Sequence, residues 1–351
     1  MPQLAVRTRS GRVESLHDGY ICVTDSDNNV IYSIGDPDAG VFLRSSGKPI
    51  YAVAYVNSGL IEKYNITLKE LAVMCSSHEG QAFHRRIILS ILKKIGLSEK
   101  DLDCGHKYPE NRKVHDALVM LCKRPDPIFS NCSGKHAAFL ALCRFYNYPV
   151  KNYTDPNHPV HNVIRKTMAE LLECEQKEVI AGKDGCSLPT YFLTMQQAAW
   201  LYARLALGYE GKGKYKDCFG LIQKVFDAMN EHPEMVAGTG EFDTELLRYT
   251  NGKFIAKIGA EAVYCLGIKE KNLGICIKIA DGGERAVYPV IIQLLLELDA
   301  INNSEYEKLK HWHKAKLLNS LEEHIGYIIP VFQKNEILSL GSRVNLNSGV
   351  F

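Results

Sequence analysis

GKFIAKIGAEAVYCLGIKEKNLGICIKIADG, residues 252–282, carries the runs FIAKIG, AVYCLGI and LGICIKI in close succession. Each is short, apolar and rich in β-branched or aromatic residues, and KEKN between the last two has the composition of a hairpin turn. The stretch is therefore expected to form consecutive strands. It is followed by ERAVYPVIIQLLLELDAI, which returns to a helical pattern. Strand-like sequence recurs only near the other end. There YICVTD, SDNN and VIYSIGD read as strand, turn and strand, and VFLRS as a short further strand or an extended lead-in.

Between these ends the periodicity is helical. PIYAVAYVNSG has Pro49 in a first turn, Thr67 with Glu70 forms a capping-box pattern ahead of TLKELAVMC, and FHRRIILSILKKIG is amphipathic and stops at Gly96. KHAAFLALCRFYN, VHNVIRKTMAELLEC, MQQAAWLYARLALG and CFGLIQKVFDAMN continue the pattern. Strands at both ends and helices in the middle predict an α+β fold in which the two ends share one antiparallel sheet. The expected sheet lobe covers about 1–60 and 250–351, and the helical lobe about 61–249. No Pro/Gly/Ser-rich linker separates them, so residues 1–351 are expected to form one unit.

Bulk properties narrow the function. A formal net charge of +2 gives no basis for binding nucleic acid or an anionic membrane surface. No apolar run is long enough to span a bilayer. The N-terminal MPQLAVRTRSGRVESLHDG has no apolar core of a secretion signal, so cytoplasmic residence is expected. The eleven cysteines are odd in number, scattered, and without a C-x-x-C pair. Reduced thiols, mostly buried, are the expectation, and a four-cysteine zinc site is not.

Several polar stretches break the helical pattern. LRSSGKPI, residues 43–50, sets Ser45 and Lys48 three apart at a helix start, where they share a face. A neutral lysine there can take a serine proton, but neutrality requires burial or a neighbouring cation. The same pattern also fits a helix capped by Ser46 with a solvated Lys48. CSSHEGQ, residues 75–81, offers Ser77 and His78 at a helix end. SNCSGKHAAFLA, residues 130–141, places Lys135 and His136 in the first turn of a helix, against the dipole, and Cys132 where a thiol pKa can be depressed. GKDGCSLPT, residues 182–190, is a glycine-rich turn joining two helical segments and carrying Asp184 and Cys186. VAGTGEFDT, residues 236–244, has two glycines that let backbone approach a ligand. Lys257 lies in mid-strand and must reach solvent, a partner or a site.

RSSGKP, SSHEG, NCSGKHAAFLA, GKDGCSLPT, AGTGEFD, AKIGAE and ADGGERA occur in an order that resembles the Rhizobium etli-type L-asparaginases, the asparaginase II family, from about residue 5 to 350. What the resemblance implies is specific. The fold would be like that of serine β-lactamases and glutaminases, which carry S-x-x-K early and K-x-G on a late strand; here the latter is K-I-G and no S-D-N occurs. The catalytic residues would be two pairs, Ser45 with Lys48 and Ser77 with Lys257. Cys132, Lys135 and Cys186 would surround one zinc ion, and Arg44, His136 and Asp184 would neighbour the substrate. The activity would be hydrolysis of L-asparagine to L-aspartate and ammonia, in a homodimer and with no organic cofactor. Ser45 is the expected nucleophile because Lys48 is fixed beside it by local spacing, with Ser77 as the alternative. Asp184 and Arg44 are the expected partners of the substrate's α-amino and α-carboxylate groups. Two other readings stay open: a glutaminase or other Ser-Lys amidase, and a zinc-dependent structural or regulatory protein.

Overall fold

The computed structural model describes residues 1–207 and 219–332. Its strands are β1 (Gln3–Arg9), β2 (Arg12–Asp25), β3 (Val30–Ile34), β4 (Gly40–Phe42), β5 (Ile180–Lys183), β6 (Pro189–Thr194), β7 (Phe254–Gly259), β8 (Val263–Ile268), β9 (Leu273–Ile279), β10 (Ala315–Leu318) and β11 (His324–Pro330). The 252–282 stretch forms β7, β8 and β9 as expected. β9 lies antiparallel to β2, with Cys22 opposite Cys276, and β11 lies antiparallel to β1, with Ala5 opposite Pro330. The two chain ends therefore meet twice in one sheet, in the order β10-β11-β1-β2-β9-β8-β7, with β3 also on β2. β8 is buried along its whole length, which explains its uninterrupted apolar sequence. The helix Met195–Leu207 packs on β2, β8 and β9, and the helix Val287–Glu297 on β1, β9 and β11.

The helices Lys48–Asn57, Leu68–Met74, Ala82–Lys94, Ser133–Phe145, Val160–Leu172, Phe219–Glu231 and Phe242–Thr250 supply the rest of the core. The Thr67–Glu70 capping box is present, and Gly96 takes φ 69° beyond the helix it ends. The described cysteines are all free thiols; Cys218 lies outside the described residues. No described helix is long and apolar enough to cross a membrane.

Three departures from the sequence expectation bear on the site. GKDGCSLPT is not a loop between helices. It is the turn of the β5–β6 hairpin, and β4 pairs with β6 to make a second small sheet. β5 alternates too weakly over four residues to signal a strand. The helix that starts within LRSSGKPI begins at Lys48, with Pro49 in its first turn as expected, but Ser45 lies outside it, because Arg44–Gly47 forms a single 3-10 turn. Ser46 is no helix cap: its hydroxyl donates to Leu43 O at 2.6 Å. Finally, β1, β10 and β11 had no clear strand pattern; they lie toward one side of the sheet, where several positions stay exposed.

Candidate active site

Two glycines let the chain bring distant motifs together. A Cβ on Gly134 would stand 2.0 Å from Val73 O, so only glycine lets the start of the helix Ser133–Phe145 lie against the end of Leu68–Met74. That contact brings NCSGK to SSHEG. A Cβ on Gly259 would stand 2.5 Å from Leu43 O and 3.1 Å from Ser46 N, so the end of β7 can lie directly on the Arg44–Gly47 turn.

Ser45 and Ser77 consequently border the same cleft, a cavity of about 120 Å³ also reached by Asn131, Asp243 and Ala260. Lys48 lies beneath it and is 0% exposed. Its amine is held by the carbonyls of Ser76 and Asn131, the latter at 3.4 Å, and faces Ser77 Oγ at 3.0 Å. Burial is the main force on its pKa, which is pushed down to about 8; Cys132 opposes that shift, and the Lys135 and Lys257 ammoniums add to it. With two carbonyls taking N–H bonds, a neutral Lys48 has its lone pair left for the Ser77 proton. Lys257, also 0% exposed, does not meet Ser77 as the resemblance implied. It is ion-paired to Asp243 Oδ2 at 3.2 Å and donates to Ile258 O at 3.0 Å. The physical reason is its strand: β7 aims Lys257 at the first turn of the helix Phe242–Thr250, where Asp243 also accepts the Ile258 N–H at 3.0 Å.

The backbone separates the two serines. The Ser77 N–H donates to Val236 O at 2.9 Å. Among the described residues, no acceptor takes up the N–H of Ser45 or of Ala260, and both residues border the cleft. Arg44, just before Ser45, holds a left-handed φ of 51°, a strained conformation for a side-chain-bearing residue.

The remaining site residues form a second cluster. Arg44 Nε donates to Asp184 Oδ1 at 2.7 Å, and Lys135 Nζ to Asp184 Oδ2 at 3.2 Å. Against the desolvation of its burial, Lys135 and Arg44 hold the Asp184 carboxyl well below the usual carboxylate range. Desolvation likewise pulls on Lys135, but Cys186, Cys132 and Asp184 outweigh it and keep the ammonium strongly protonated. The depressed thiol is Cys186, not Cys132 as expected. Their mutual hydrogen bond, together with burial, pushes Cys132 up to about 12, while the same bond and the Lys135 charge hold Cys186 down to about 5. His136 is buried and donates or accepts at Nδ1 with Tyr153 Oη at 2.7 Å, while its Nε2 has no partner among the described residues. Burial, helped by Lys135, pushes its pKa down to about 3, so it is neutral.

One donor atom each from Cys132, Asp184 and Cys186 lies within 4.8 Å of the others, and all three residues are buried. Two thiol sulfurs and a carboxylate oxygen suit zinc. Lys135 would have to surrender a tightly held proton to join them, and Asp184, assigned from sequence to the substrate, stands among the donors instead. Sequence reasoning missed Asp243, although a lysine in mid-strand signals a buried carboxylate somewhere; Asp243 sits in the AGTGEFD stretch that drew notice for its glycines.

The class is thus an α+β protein with a serine-lined cleft over a buried lysine, beside a buried thiol and carboxylate cluster. The profile of the L-asparaginase II family matches residues 5–330, and the chain belongs to that family. It is an asparaginase-type amidohydrolase. No curated protein sequence matches it. Among solved structures it is similar to Mglu in its native form, at 14% identity over 81% of this chain and 65% of that one, with a TM-score of 0.39. It is also similar to a beta-lactamase from Mycobacterium bovis, at 12% identity over 81% and 95% of the two chains, with a TM-score of 0.36.

Proposed function

We propose that the protein hydrolyses L-asparagine to L-aspartate and ammonia through an acyl-enzyme on Ser45. The observation that carries this reading is the cleft shared by Ser45 and Ser77, with the buried Lys48 amine 3.0 Å from Ser77 Oγ. Ser45 Oγ attacks the carboxamide carbon, and its proton passes through Ser77 to Lys48. The Ser45 and Ala260 N–H groups, which no acceptor among the described residues takes up, receive the oxyanion. Collapse breaks the C–N bond, and the proton held by Lys48 leaves with ammonia. Water then attacks the ester by the same path. The occupied Ser77 N–H favours Ser45 over Ser77 as nucleophile, since Ser77 cannot contribute its own amide to an oxyanion site. Lys257, fixed by Asp243, acts as a charge and not as a base.

Zinc would be held by Cys132 and Cys186 with Asp184 or Lys135, and would supply a fixed positive charge beside the cleft. Chelation is expected to leave the fold intact, to expose Cys186 to thiol reagents, and to weaken substrate affinity more than it slows the chemical step. Unfolding on metal removal would instead favour the zinc-dependent structural reading.

Ammonia release from asparagine and glutamine, side by side, tests the reaction. One methylene is discriminated by only about 1–3 kcal/mol, so glutamine turnover 10- to 100-fold slower, not absent, is expected. The pH profile tests the base. Lys48 must be neutral to accept a proton, and its pKa is about 8, so turnover should rise with pH through about 8 and fall toward acid. A rate that is highest in acid would remove Lys48 from that role.

A further inference from the structure

Two of the carboxylates bordering the cleft are neutralised within the protein: Glu110 by Lys107 at 2.7 Å and Asp243 by Lys257 at 3.2 Å. Glu79, Glu241 and Glu284 border the same cleft, and among the described residues none of them has a cation partner. Glu79 is the telling one. It is 8% exposed, and its carboxylate has only the Asn111 N–H as a donor. A buried anion is costly unless it is paired. The cost shows in its pKa, raised to about 7 by burial and by Glu241. Independently of these glutamates, Asp243 borders the cleft and is 2% exposed, and its buried Oδ1 has no hydrogen-bond partner among the described residues. The Asp184 and Arg44 charges, expected from sequence to meet the substrate, are spent on each other and on Lys135.

We propose that Glu79 and Glu241 form the subsite for the substrate's α-ammonium group, and so make the enzyme select carboxamides that carry a neighbouring amine. This rests on the reading of the cleft as an amidohydrolase site. A ligand ammonium there donates to both carboxylates and removes their mutual repulsion, so its binding restores a pairing the empty cleft lacks. A carboxamide without the amine leaves the repulsion in place and gains nothing from the wall. Selection at this subsite is separate from the carboxamide chemistry at Ser45.

The test compares L-asparagine with succinamic acid, which keeps the carboxamide and the carboxylate and lacks the amine. Wild type should prefer asparagine in kcat/KM. Glu79→Gln and Glu241→Gln should each reduce that preference by about tenfold or more, the scale of one charge-assisted hydrogen bond. Equal use of both substrates by wild type, or a preference that survives in both variants, overturns the proposal. Should wild type hydrolyse neither compound, the amidohydrolase reading fails, and calorimetry with L-aspartate against succinate then decides the subsite. Tighter binding of aspartate that is lost in the variants upholds it; equal binding overturns it. The two variants keep the test open if one of them fails to fold.

Discussion

Ser45→Ala is expected to fold normally and to lose ammonia release by roughly 1,000-fold or more, the scale on which removal of an attacking nucleophile is felt. Lys48→Met should lose a similar amount, and the double variant little more, because residues that act as one unit are not additive. Ser77→Ala removes the relay but not the attacking atom, so it should retain more activity than Ser45→Ala. Mass spectrometry of wild type quenched during turnover should find the acyl group on the peptide containing Ser45. An acyl group on Ser77, or Ser45→Ala turning over at the wild-type rate, would reverse the assignment of the two serines. The stability of Lys48→Met offers a second check. Its amine is fully buried and its pKa is depressed, so loss of the charge relieves a desolvation penalty while leaving the carbonyls of Ser76 and Asn131 without a donor.

Asp243→Ala should be the most destabilising single change at the site. It strips the carboxylate from Lys257 in a pair whose side chains are 1% and 0% exposed, and also removes the acceptor of the Ile258 N–H. Breaking a buried pair from one side costs about 3–5 kcal/mol, because the other charge is left uncompensated. Urea unfolding should report that loss. Asp243→Asn keeps an acceptor for Ile258 and should lose less. Asp243→Ala combined with Lys257→Met should regain part of the stability, since the orphaned charge is gone. An Asp243→Ala protein as stable as wild type would overturn this reading of the pair. The same variants separate stability from chemistry: Lys257→Met should slow turnover even where the fold tolerates it, because a fixed positive charge is lost behind Asp243 and Ile258, which line the cleft.

Particular residues show how far the sequence reached. Lys48 stood out by its spacing from Ser45, Ser77 as one of the polar residues at the end of an apolar helix, Lys135 as a cation against a helix dipole, and Lys257 as a charge in mid-strand. Their partners did not stand out. Asp243 is fourteen residues before Lys257 in a segment that reads as a loop, and Glu79 is one polar residue among several in CSSHEGQ. Cys132 and Cys186 were legible as a pair only through family resemblance. Which of them has the lowered pKa is set first by their mutual hydrogen bond, then by burial and the Lys135 charge, and a linear pattern holds no such geometry.

The sequence by itself determined most of the elements, though not β1, β10, β11 or the β5–β6 hairpin: β2, β3 and β7 to β9 toward the two ends, the long helices between them, and the residues that defy helical or strand periodicity. Those are local properties, set by side-chain spacing and by glycine or proline at element ends. Tertiary structure alone decided which lysine faces which serine. The S-x-x-K spacing put Lys48 near Ser45 in the chain, yet the 3-10 turn Arg44–Gly47 and the close approach allowed at Gly134 carry the Lys48 amine to Ser77. β7 carries Lys257 away to Asp243. Pairing between buried charges is settled by desolvation and distance in three dimensions, so it appears only once the two ends of the chain have closed into one sheet.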